Sequence, residues 1–179
     1  ELVRRFIDWY APFQFPSGKV PCVVDRRGAD PVPENDSHGQ LIWLIANYHR
    51  ATGDTELVKR HFDRVKQTVA YIDELRAQRM TDEFSTTGEP RQEPGKPAVP
   101  AVAFRGLLPE SISHEGYSAK PMHSFWDQFY ALRGLNDAAY LAGVVGETDL
   151  QRRWQATADD FRRCLIESIR IAHQVHGID

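Results

Sequence analysis

The chain has 179 residues, 41% of them hydrophobic and 26% charged, with a formal net charge of −3. A mildly acidic balance leaves no basic footprint for nucleic acid, and no run of about 18 apolar residues is present to span a membrane as a helix. The length supports one domain with its own core, while two cysteines, Cys22 and Cys164, define neither a disulfide framework nor a metal spacing.

Leu2, Val3, Phe6, Ile7 and Tyr10 recur at helical spacing and predict a helix over 2–10, ended by Pro12 and Pro16. Residues 11–37 read as a long loop, with Val20, Val23 and Val24 forming a short extended piece. A second helix is expected over 37–50. Leu41, Leu44, Ile45 and Tyr48 mark one face, and Ile42, Trp43 and Ala46 fill much of the rest, which is the pattern of a buried helix. Asp36 or Ser37 can cap it. Gly53 suits its C-cap, and Asp54 or Thr55 the next N-cap.

The third helix, over 55–80, turns Leu57, Val58, His61, Phe62, Val65, Val69, Ile72 and Leu75 inward and Lys59, Arg60, Arg64, Lys66 and Asp73 outward. Residues 82–121 form a connection rich in Pro and Gly, and loops of that length are functional or disordered. Within it 85–97 reads as mobile and 104–121 as ordered and functional. A mostly buried helix is expected over 123–143, carrying Phe125, Trp126, Phe129, Leu132, Leu135, Ala139 and Leu141. After a turn at Gly146, an amphipathic helix over 148–173 places Leu150, Trp154, Ala158, Phe161, Leu165, Ile169 and Ala172 inward.

An internal repeat organises these elements. Gly53-Asp-Thr-Glu-Leu-Val-Lys-Arg aligns with Gly146-Glu-Thr-Asp-Leu-Gln-Arg-Arg. Each copy joins a buried helix to an amphipathic one, and each buried helix is entered from a long polar loop. Repeated helix pairs mark a solenoid or a closed ring. Buried helices then belong to an inner layer and amphipathic ones to an outer layer, with the long loops gathered at one end. The pattern begins inside a helix at Glu1 and stops just after one, without an initiator Met, so the chain is expected to be a piece of a longer polypeptide.

The arrangement resembles the (α/α)6-toroid glycoside hydrolases, the six-hairpin group that includes glucoamylases, trehalases and processing glucosidases. The likeness is carried by Asn35-Asp36-Ser37, Tyr48 through Thr52-Gly53-Asp54, Gly106-Leu-Leu-Pro-Glu110, Phe125-Trp126-Asp127 and Ala131-Leu-Arg-Gly-Leu135. It implies an all-α fold, a partial (α/α)6 toroid, with residues 1–179 a fragment of one catalytic domain. The rest of the polypeptide would complete the ring. It also implies hydrolysis of O-glycosidic bonds in an oligo- or polysaccharide, usually with inversion, by one carboxylic acid and one carboxylate base. No cofactor is implied, and the partner is a carbohydrate substrate.

Glu115, beside Gly116 and flanked by His114 and Tyr117, is the first catalytic candidate, and Glu110 the second. Sugars are gripped by carboxylates, Arg and aromatic faces. Asp25, Arg26, Glu34, Asp36 and His38 from the first loop, with His114, Tyr117, His123, Trp126 and Asp127 from the second, are therefore the substrate-binding candidates. His38, His114 and His123 show no His-x-x-x-His spacing, and no metal is expected. Two other readings are open: an (α/α)-toroid polysaccharide lyase using His114, Tyr117 and Arg26, and a non-catalytic helical repeat that binds a partner.

Overall fold

The computed structural model describes residues 1–112 and 120–178. The fold is all-α, with five α-helices and one small hairpin among the described residues. The helices are α1 (Leu2–Tyr10), α2 (Asp36–Thr52), α3 (Thr55–Ala77), α4 (Phe125–Val144) and α5 (Thr148–His176). The extended piece expected near Val24 is half of a tight antiparallel hairpin, β1 (Val24–Asp25) with β2 (Gly28–Ala29).

Helices α2 and α4 lie side by side in one layer, and α3 and α5 form the second layer against them. The two inner helices run in the same direction. Asp36 meets Trp126 at their starts, Trp43 meets Tyr130 further along, and His49 meets Tyr140 near their ends. A contact between glycines sets this packing. A Cβ on Gly39 would lie 1.8 Å from the Tyr130 carbonyl oxygen, and one on Gly134 would lie 2.6 Å from the Gly39 Cα. The backbones touch because neither residue has a side chain.

Ile42, Ile45, Leu135, Ala138 and Leu141 fill the interior of this inner layer, sealed from outside by Leu57, Val65, Ile72, Phe161 and Leu165. The inward faces expected of α3 and α5 are the observed ones, with Leu150 and Ile169 only partly covered. The connections are short because their chemistry is local. Gly53 adopts φ +70 and donates to His49 O, and the Asp54 carboxylate caps α3 by accepting from Leu57 N at 3.0 Å.

Three expectations are corrected. Phe125, Trp126 and Phe129 are exposed, at 39%, 58% and 52%, because α4 is covered on the α2 and α5 sides and open on the remaining one. On α1 only Ile7 is buried, and Leu2, Val3 and Phe6 are exposed. Residues 85–97, expected to be mobile, are tied into the structure: Arg91 pairs with Val99 in a two-way backbone bridge and reaches Glu110.

Replacing a helical glycine by alanine ordinarily stabilises a helix by about 1 kcal/mol. Here the sign should reverse. Gly39→Ala is expected to lower unfolding free energy by about 1–3 kcal/mol through overpacking against Tyr130, measured by urea denaturation. A stabilised Gly39→Ala protein would rule out the backbone contact.

Candidate functional site

Parallel inner helices bring both long loops to the same pole. Their meeting is recorded in two hydrogen bonds: Ile112 N donates to Pro33 O at 3.0 Å, and the Asn35 side-chain amide donates to Pro109 O at 3.4 Å. Ser111 pairs with Met122 in both directions, closing the second loop on itself just before α4. Two consecutive residues in the first turn of α4 clasp this segment. The buried Gln128 amide accepts from Leu108 N at 2.8 Å and donates to Leu108 O, while the Asp127 carboxylate accepts from the Ser111 hydroxyl.

Three carboxylates converge there, Glu34, Asp36 and Asp127. Asp36 is the first residue of α2, not its cap, which is Asn35. Its carboxylate accepts from the Trp126 indole N–H at 2.9 Å and the Gln40 amide at 2.7 Å. Burial pushes its pKa up and the Glu34 charge adds to this, while the indole bond works against both. Asp127 lies behind it, 2% exposed. Burial raises Asp127 to about 6, opposed by the Ser111 hydroxyl, and the charges of Asp36 and Glu34 raise it further. Glu34 is hydrogen-bonded to the Cys22 thiol, which burial and that acid push up to about 12.

Trp126 is the exposed element of the pole. Its N–H is held by Asp36, and its ring stands edge-on to Tyr130 at 5.0 Å, so its position is fixed while it remains open to solvent. A recess of about 240 Å³ lies between α1 and α2, walled by Phe6, Tyr10 and Trp43 and by the same Gln40 that bonds Asp36.

The other candidates sit elsewhere or do other work. His114, Glu115 and Tyr117 lie outside the described residues. Glu110 sits in a cluster of cations, bonded to Arg79 and Arg91 with His123 Nε2 at 3.1 Å. Burial alone would raise Glu110. Its backbone hydrogen bond and the charges of His123 and Arg79 overcome that and hold it at about 2. A carboxyl held so low keeps no proton to donate at neutral pH. His123 is half-buried and lines a recess with Phe104 and Phe125: burial, with Arg79 and Arg91 opposing its protonation against Glu110, lowers it to about 4, and its ring packs on Phe104.

His38 is corrected outright. It is fully buried, its Nδ1 accepts from Val20 N, and its ring meets Tyr71, so it belongs to the core. Asp25 and Arg26 stay on the hairpin, where Asp25 accepts four bonds from Arg27 at 2.7 to 3.3 Å and Arg26 is exposed. The residues that sequence reasoning missed are Ser111, Gln128, Gln40, Arg79 and Arg91. Among the described residues no group of His, Cys, Asp or Glu has the arrangement to hold a metal ion. Compared with models of protein families, with curated proteins and with solved structures, the chain matches none of them.

The pole predicts a specific pH response. Asp127 at about 6 sits above its ordinary 3.8, so the folded chain holds that proton more tightly than the unfolded one. This stabilisation is complete below the ordinary value and is lost as pH rises through about 6. Asp127→Asn lacks it. The stability difference between variant and wild type should move by about 2 kcal/mol in the variant's favour from pH 4 to pH 7, read by denaturant unfolding. A difference independent of pH would mean that Asp127 titrates as an ordinary aspartate.

Proposed function

We propose that this chain carries the acidic, carbohydrate-binding pole of a glycoside hydrolase, built as two helix hairpins of an (α/α)6 toroid. The observation that carries the reading is the convergence of Glu34, Asp36 and Asp127 beside the fixed, exposed indole of Trp126, at the common end of two parallel helices. Carboxylates pair with sugar hydroxyls, and an aromatic face covers the apolar C–H face of a pyranose. The open apolar side of α4 supports further hairpins of the same polypeptide packing there and completing the ring.

In this reading Asp36 meets the sugar. It is half-buried, its proton affinity is raised, and it holds the exposed Trp126 indole, which suits a proton donor to a leaving oxygen. Asp127 stands beside it, and the Asp36 charge is among those that raise Asp127. Glu115 is the proposed partner that activates water from the opposite side of the sugar. Glu110 serves as an anchor. The acidity of the pole disfavours the lyase reading, because a uronate substrate requires a cation at its carboxylate.

In the protein, Asp36→Asn should lower turnover on a hydrolysed oligosaccharide by about 10²–10⁴-fold with little change in KM, the signature of proton transfer. Trp126→Ala should instead weaken substrate binding by about tenfold. Reducing-sugar release from a panel of oligosaccharides is the measurement. Hydrolysis that persists at the wild-type rate in Asp36→Asn would remove this pole from the chemistry.

A further inference from the structure

The stretch 109–112 of the second loop is pinned at every residue. Pro109 accepts from Asn35, Glu110 binds Arg79 and Arg91, Ser111 pairs with Met122, and Ile112 donates to Pro33. Successive side chains of an extended segment point to opposite sides. Ser111 accordingly turns to Asp127 and Glu110 turns to the arginines. Ser111 is fully buried, so its hydroxyl has no water to compete for it. The arginines are themselves held, Arg79 over the Phe84 ring and Arg91 between Phe84 and Phe104. Glu110 therefore has one docking geometry, and Ser111 inherits it through the shared backbone.

We propose that Ser111 is a positioning residue for Asp127, and that the Arg79–Glu110–Arg91 cluster is the device that keeps Ser111 in register. The hydroxyl donates to Asp127 and favours its charged form. Glu34 and Asp36 face Asp127 from the first loop and α2 and oppose that form, and the Asn35 N–H supports it. On the side of the second loop, Glu110 and His123 are engaged with the arginine cluster. Ser111 thus sets the balance among the acids of the pole. Its consequence for Asp36 as a proton donor rests on the glycosidase reading, whereas the effect on Asp127 does not.

The test is the titration of the Asp127 carboxyl, followed by ¹³C NMR in wild type, Ser111→Ala, Glu110→Gln and the double variant. Ser111→Ala should raise the Asp127 midpoint by about one unit through loss of the donated bond. Glu110→Gln separates positioning from field by sign. Removing a negative charge nearby would by itself lower the midpoint, whereas loosening the grip on Ser111 raises it. The expected result is a rise, with no further rise when Glu110→Gln is added to Ser111→Ala. An unmoved or lowered midpoint in Ser111→Ala overturns the role of the hydroxyl, and a lowered one in Glu110→Gln overturns the role of the cluster. Should Glu110→Gln fail to fold, Arg91→Gln on the Ser111→Ala background decides. No further change is expected there, and a further rise would show a field effect alone. Because Asp127 is read directly, an absence of glycosidase activity leaves this result standing, and a failed titration leaves the activity to be judged by its own assay.

Discussion

Everything at the acidic pole depends on the backbone contact between Gly39 and Gly134. Helices with side chains at the crossing stand about 8–10 Å apart, and here the peptide of Tyr130 occupies the space where a Gly39 side chain would be. That closeness brings the first turn of α2 beside the first turn of α4. The Asp36 carboxylate and Trp126 indole are then within one hydrogen bond, and the two loops reach each other through Pro33, Asn35, Pro109 and Ile112. A wider crossing would leave Asp36 and Asp127 as separate surface acids with ordinary proton affinities.

The pole sorts its carboxyls by what surrounds them. Glu110 and Asp127 are both partly withdrawn from water and lie on either side of one short extended segment. Glu110 is held at about 2 against its burial by its backbone hydrogen bond and by His123 and Arg79, while Asp127 rises to about 6 through burial, with two neighbouring acids adding to it. The surroundings also identify the one that cannot lose its role as anchor: an unpaired Arg79, 13% exposed, would be a costly buried charge without Glu110.

Much of the frame was legible in the sequence. Periodicity located all five helices to within a few residues, and the Gly53 and Gly146 repeats paired them in the right order, because these signals are local. Ile42, Leu57, Ile72 and Phe161 read as core and are core. The departures come from tertiary context. Phe125 and Phe129 are apolar on a helix that has only part of its surface covered, and no local pattern shows which part. His38 looked like a ligand because it stands in a polar loop-to-helix junction, yet its ring turns inward to Val20 and Tyr71. Gly39 and Gly134 gave no sign of their contact, since a glycine in a helix says nothing about which backbone approaches it. Asp127 read as a substrate-binding acid, and its raised proton affinity became visible only with its burial and with Asp36 and Glu34 placed beside it. Glu110 read as an acid because Arg79 and Arg91, its partners, lie 31 and 19 residues away.

The central claim is that the two long loops, distant in sequence, form one electrostatic unit. The most direct measurement is the Asp127 carboxyl titration in a Glu34→Gln, Asp36→Asn protein, which leaves the second loop and α4 untouched. If the loops meet as described, removing both charges of the first loop lowers the Asp127 midpoint below about 6. A midpoint unchanged from wild type would contradict the convergence and, with it, the assignment of a functional site to this pole.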